Sequence, residues 1–153
     1  MSFARIYLPS VLLFWAGLLF GVSFLATPVK FQAPSLSLPV ALDVGRHTFL
    51  WLNKIEIGLA LILAVLLWKG TKNLLVRLGG GAVVLWVAAK TLWALPVLDD
   101  RTEIVIQGGE PPPSMLHQVY VVCDLVQLIL LLALGFATLY AHARSPRAEV
   151  TYR

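Results

Sequence analysis

The sequence predicts an all-α, polytopic membrane protein, an antiparallel bundle of four transmembrane helices, and three observations predict it. Of its 153 residues, 59% are hydrophobic and only 13% charged. With a mean hydropathy of +0.83, that is more apolar than the core of a soluble globule of this length requires. Four apolar runs, about 6–27, 48–68, 78–98 and 115–141, each reach the ~20 helical residues that cross a hydrocarbon core about 30 Å thick. Their hydrophobicity is continuous rather than alternating, which selects helices over a barrel as the way to satisfy every backbone N–H and C=O in lipid. The chain then forms one membrane domain, 1–153, ending in a short tail at 142–153.

The first run could be read as a secretory signal, with Arg5 before it and Ala26 after it. It is longer than a signal's apolar region and has no clear A-x-A site, so it counts as helix 1. Within it GLLFG, Gly17 to Gly21, is a small-xxx-small pattern that permits close helix packing inside the bundle. The connection TPVKFQAPSLSLPVALDVG carries Pro28, Pro34 and Pro39, which favour an extended path folded back over the bundle. The next connection, WKGTKNLLVR, is short and makes helices 2 and 3 antiparallel neighbours. Gly79, Gly80 and Gly81 open helix 3. After helix 3, LDDRTEIVIQGGEPPPS holds a β-prone run, Thr102 to Gln107, then a Gly-Gly turn and a proline-rich lead into helix 4.

A formal net charge of +4 distributes as membrane topology requires, not as a nucleic-acid patch. With alternating helices, Arg5, Lys69, Lys72, Arg77, Arg144, Arg147 and Arg153 fall on one side, and Lys30, Arg46 and Arg101 on the other. The positive-inside rule then places both termini in the cytoplasm, in a bacterial inner membrane. The acidic residues Asp43, Asp99, Asp100, Glu103 and Glu110 face outward. The expected partner is the lipid bilayer, with a homo-oligomer or a larger membrane complex open and nucleic acid excluded. Tyr7, Trp51, Trp68, Trp93 and Tyr140 sit near expected interfaces, as anchoring belts do. The single Cys123 allows no intramolecular disulfide.

Four ionisable residues remain inside apolar runs: Lys54 and Glu56 on helix 2, Lys90 on helix 3 and Asp124 on helix 4. Counted at 1.5 Å per residue from the outer boundary, all four lie on the order of 10 to 15 Å deep. An unpaired charge there costs ~3 kcal/mol or more, so mutual pairing is expected. Lys54 and Glu56 are two apart and leave helix 2 on different faces. Cross-helix pairs, Glu56 with Lys90 and Lys54 with Asp124, are therefore the natural arrangement. His117, Tyr120, Asp124 and Gln127, spaced by 3, 4 and 3, share one helical face. With Asn53 and Lys54 on helix 2, and with Trp86, Lys90 and Trp93 on helix 3, they would line a polar pocket open to the outer side. Arg46, His47, Asp99, Asp100, Arg101 and His117 would stand at its mouth.

Two readings of this cluster follow. Either the charges are a clamp that fixes helix register, or they line a site that binds or helps move a small polar or anionic solute. His47 and His117, with Asp99 or Asp100, give a weak metal alternative. No cofactor is indicated, and no nucleophile–base pair or phosphate-binding loop speaks for an enzyme.

Three stretches, FLATPVKFQAPSLSLPVALDVGRHTF, LWALPVLDDR and LHQVYVVCDLVQLILLL, resemble a bacterial four-helix membrane family of unknown function related to the transmembrane protein 205 type. Pro28, Phe31, Gly45, Phe49, Pro96 and His117 match the family's pattern. Members often carry Glu and Lys where this chain has Asp124 and Gln127, so the acid is kept and a base is lost. The resemblance implies the four-helix fold without an established activity. The eukaryotic relative's association with drug or metal-drug resistance leans toward efflux over catalysis.

Overall fold

The computed structural model of the chain describes residues 3–144. Of the tail expected at 142–153, residues 142 and 143 continue the last helix, and 145–153, with Arg147 and Arg153, lie outside the described residues, as does the Arg5 side chain. Four helices are long and apolar enough to cross a membrane, Ile6–Lys30, Leu38–Gly70, Leu74–Ile106 and Leu116–Ala143. They form a closed ring in which each span packs on the next and the fourth returns to the first.

The first span comprises α1 (Phe3–Leu19), a π-helical turn (Phe20–Ala26) and α2 (Thr27–Lys30). The second is one helix, α3 (Leu38–Gly70). The third comprises α4 (Leu74–Ala89), a π-helical turn (Lys90–Ala94) and α5 (Leu95–Ile106). The fourth is α6 (Leu116–Ala143). Leu8, Leu12, Trp15, Ala16 and Leu19 supply the inward stripe of α1. They meet Leu59, Leu63 and Leu66 of α3, Val76, Val83 and Val87 of α4, and Leu128 and Leu131 of α6. Spacings of three, four and seven keep one face of each helix on the common core. Trp51, Trp68, Trp93 and Tyr140 are exposed on the bundle's outer surface.

The connection at 71–73 is as short as expected. Asn73 caps α4, its Oδ1 accepting from the backbone N–H of Leu75 at 3.0 Å and of Val76 at 3.3 Å. The other two connections differ from the sequence reading. Helix 2 begins at Leu38, ten residues before 48, because Pro39 falls in its first turn, where the missing N–H has no helical partner to lose. The β-prone run Thr102 to Gln107 is helical as far as Ile106, the end of α5, with Gln107 as its C-cap. Its Gly-Gly pair is a helix stop: Gly108 takes a φ of +83°. The Gly108 and Gly109 N–H groups close back on the carbonyls of Val105 at 3.0 Å and Ile104 at 2.8 Å. This double return is a Schellman termination, and it outweighs the strand preference of Thr, Ile and Val.

Both extensions lie at the same end of the bundle, where α3 and α5 pack together. At 33 residues each, the second and third spans are roughly 50 Å long at 1.5 Å per residue. They overrun a ~30 Å hydrocarbon core.

GLLFG does not pack as expected. A Cβ at Gly17 or Gly21 would meet no atom within 4 Å, so neither glycine marks a close crossing. The close crossing is at Gly135 of α6, where a Cβ would stand 2.7 Å from Leu13 Cδ2 and 2.8 Å from its Cγ. Gly135→Val is expected to lower stability by about 1–3 kcal/mol through overpacking, with Gly17→Ala and Gly21→Ala near neutral. Thermal unfolding of the three variants in one detergent measures the difference.

Candidate functional site

Four spans deliver side chains to one polar centre. On α3, Glu56 follows Asn53 by three residues and both face inward; on the third span, Lys90 follows Trp86 by four; on α6, Tyr120, Asp124 and Gln127 share the buried face. Lys90 Nζ stands 2.5 Å from Glu56 Oε2 and 3.2 Å from Asp124 Oδ1. Gln127 Oε1 is 3.5 Å from the same ammonium. Glu56 Oε1 accepts from Trp15 Nε1 at 3.0 Å and from Gln127 Nε2 at 2.9 Å. Asp124 Oδ1 also accepts from Trp86 Nε1 at 3.2 Å, while Ser23 Oγ donates to Asp124 Oδ2 at 3.4 Å and the Tyr120 hydroxyl also reaches this carboxylate. Glu56, Lys90, Asp124 and Gln127 are each exposed by 2% or less, so this is a dry network.

The expected Glu56–Lys90 contact is present, but Lys54 does not pair with Asp124. Lys54 is on the outer surface with its ammonium 4.3 Å above the Trp51 ring. Two residues turn a helix by about 200°, so the face that buries Glu56 turns Lys54 away. Lys90 takes the place intended for Lys54, with two carboxylates on one ammonium. Asn53 joins Thr91, donating from Nδ2 to Thr91 Oγ1 at 2.9 Å, one residue beyond Lys90.

The two π-helical turns lie at this level. Thr27 N–H reaches back five residues to Val22 O, and Leu95 N–H to Lys90 O. Each turn ends just before a proline, Pro28 and Pro96. A proline can neither donate to the carbonyl four residues back nor pack its ring against it, so the turn ahead of it widens. The widened turns carry Ser23 and Lys90, both of which bond Asp124.

Above Asp124 a cavity of about 220 Å³ opens at the extended end of the bundle. Phe24, Leu42, Phe49, Leu95, Leu98 and Val121 give it apolar walls; Ser23, Thr27, Lys30, Arg46, Asp99, Thr102, His117, Tyr120 and Asp124 are its polar members. Tyr120 forms the inner wall, edge-on to Phe49 with ring centres 6.0 Å apart. Arg46 is committed to Asp43, at 2.9 Å, and to Glu103 across on α5. Lys30 Nζ has no hydrogen bond or ion pair among the described residues, only the Phe31 ring at 5.0 Å. It lies against Gly45, where a Cβ would collide with it. Asp99 Oδ1 is buried without a hydrogen-bond partner.

Of the expected mouth residues, Arg46, Asp99 and His117 line the cavity, whereas His47, Asp100 and Arg101 do not. His47 Nδ1 sits 2.9 Å from Asp43 O on its own helix, and Arg101 binds Pro112 O at 2.5 Å, fastening the loop before α6. No three His, Cys, Asp or Glu side chains among the described residues are grouped to hold a metal ion.

Sequence reasoning missed Trp15, Ser23 and Lys30. Trp15 could have been found, because an indole in mid-span, away from the interfacial belt, needs a partner for its N–H. Lys30 was counted as a loop charge, since the helix was expected to stop before Pro28. In comparison with known proteins, no family model, curated protein or solved structure matches the chain.

Lys90→Met, which leaves two buried carboxylates with no cation, is expected to cost about 3–5 kcal/mol. Lys54→Met should change stability by less than about 0.5 kcal/mol. Combining Lys90→Met with Glu56→Gln and Asp124→Asn should recover part of the loss. Denaturant unfolding in micelles, read by tryptophan fluorescence, ranks the three proteins.

Proposed function

We propose that this chain is a membrane solute-binding protein whose end cavity takes a small organic anion with Lys30 as its counter-charge. The carrying observation is Lys30, which lines the cavity and whose ammonium has no acidic partner among the described residues. A cation at an apolar-walled mouth attracts an anionic group, and desolvation strengthens that attraction. At about 220 Å³ the cavity falls below the ~300–1,000 Å³ of drug-sized sites, so the solute is small. Its body lies against Phe49, Leu95 and Tyr120 and its charged end toward Lys30. The charge asymmetry supports a bacterial inner membrane with both termini cytoplasmic and the cavity facing outward. The likeness in sequence to the transmembrane protein 205 type belongs to the same proposal.

A second reading, a structural or assembly subunit, draws on the enclosure of Glu56, Lys90 and Asp124. In it the ion pairs fix helix packing and the cavity has no solute.

Calorimetric titration of the protein in lipid nanodiscs with benzoate, and with benzylammonium as the opposite-charge control, separates the two. Benzoate should bind and benzylammonium should not. A charge-assisted contact of about 1.5–3 kcal/mol makes Lys30→Gln roughly 10- to 100-fold weaker. Gly45→Ala, which pushes the ammonium aside, should weaken binding without unfolding the protein. If benzoate gives no heat, or binds Lys30→Gln as tightly as wild type, the structural reading stands. Native mass spectrometry of the purified protein reports retained solute and the number of copies.

A further inference from the structure

We propose that Asp124 Oδ2, at the inner end of the cavity, is a proton-binding site that exchanges its proton through that cavity. The inference goes beyond solute binding, and the experiment below separates the two.

The first ground is charge count. Glu56 and Asp124 share the one ammonium of Lys90, so with both carboxylates ionised the dry centre holds an excess negative charge. Among the described residues no further cation pairs with the network: Arg46 is held by Asp43 and Glu103, Lys54 is on the outer surface, and Lys30, which lines the same cavity, makes no ion pair with either carboxylate. An uncompensated buried charge costs several kcal/mol even after relaxation. One bound proton removes it.

The second ground is hydrogen-bond direction, which decides where the proton sits. Glu56 Oε1 accepts from Trp15 and Gln127, and Oε2, which makes no hydrogen bond, lies against the Lys90 ammonium in an ion pair at 2.5 Å. Asp124 Oδ1 likewise meets two donors, Trp86 and Lys90. A proton on any of these oxygens would oppose a donor already there. Asp124 Oδ2 is different: it meets Ser23 Oγ at 3.4 Å, with the Tyr120 hydroxyl also reaching Asp124, and both are hydroxyls that accept as readily as they donate. A protonated Oδ2 donates to Ser23 without disturbing the Lys90 clamp.

The third ground is access. Of the two acids only Asp124 lines the cavity, and Ser23 lines it beside Asp124. Ser23 is carried by the widened turn Phe20–Ala26, and such turns recur at functional sites.

The groups facing Asp124 are Ser23 from the first span, Glu56 from α3, Trp86 and Lys90 from the third span, and Tyr120 on its own helix. Lys30, Arg46, Asp99 and His117 line the same cavity farther out. Binding moves one proton from water to Oδ2 and release returns it; no other bond changes.

The test is the infrared carboxylic-acid C=O stretch of the protein in nanodiscs, without solute, across a pH series in H₂O and D₂O. The expected result is one buried-acid band, downshifted in D₂O and lost in Asp124→Asn; in Glu56→Gln, which leaves one carboxylate on the one ammonium, the band should give way to ionised carboxylate at lower pH than in the wild type. Ser23→Ala leaves the clamp untouched and keeps the proposal testable if Asp124→Asn fails to fold; in it the band should shift, since its hydrogen-bond partner is gone. Absence of a band at every pH, a band that persists in Asp124→Asn, indifference to Ser23→Ala, or no response to D₂O would each overturn the proposal. A band that follows Asp124 in a protein that does not bind benzoate supports the proton site and sinks the anion reading.

Discussion

The structure depends on one buried ammonium held by two carboxylates. Lys90 meets Glu56 and Asp124, and through them the second, third and fourth spans are locked at a single level; Trp15 donates to Glu56 and brings in the first. Hydrophobic burial cannot provide this registration in a membrane. Lipid tails are as apolar as leucine, so an apolar helix loses little by sliding or rotating against its neighbour. A charge pulled out of its pair loses several kcal/mol. The polar layer therefore sets which residues of each helix face inward, and the leucine and valine stripes pack around that choice.

The same layer separates the bundle into two unlike halves. On the side of the described chain ends, the interior is filled by Leu12, Leu63, Val83 and Leu131. On the other side the two prolines interrupt regular helix at Phe20–Ala26 and Lys90–Ala94, and beyond these widened turns the helices enclose a cavity. Matching positions of Pro28 and Pro96, each just past its turn, give both interruptions one cause. Asp124 belongs to the clamp through Oδ1 and, with Ser23, lines the cavity, so clamp and cavity are joined at one side chain.

Much of the fold was legible because membrane helices announce themselves by length and apolarity, and Glu56, Lys90, Asp124 and Gln127 because charge and amide are costly in lipid. Lys54 was misread because depth alone does not tell which way a side chain points. Its rotation about the helix is settled by packing, and Trp51, three residues before it, offers the ammonium a ring on the outer face. The helix ends were misread for a different reason. Proline and glycine each have two structural meanings: Pro39 starts a helix instead of breaking a path, and Gly108 ends one instead of turning a hairpin. Which meaning applies depends on the neighbouring turn, not on the residue. Lys30 followed from those boundaries, since a helix that continues through Pro28 carries it to the cavity wall instead of into a loop.

These features also constrain how a solute could move. The cavity ends at Asp124, and beyond Asp124 lies the Glu56–Lys90 contact with Gln127 bridging both sides. A path to the opposite face within one protomer would have to part Lys90 from two carboxylates and strip Trp15 from Glu56, which is the most costly rearrangement the bundle offers. Carriers that alternate access usually rock one repeat against another about a central site, and a closed ring of four helices has no such second half. If the cavity takes the proposed anion, the protomer taken alone would be a one-sided receptor. Movement of a solute across the membrane would therefore require a second protomer or another protein, with the rearrangement between chains and the clamp intact inside each. A proton at Asp124 fits this division, because it can come and go through the cavity while Lys90 keeps both of its partners.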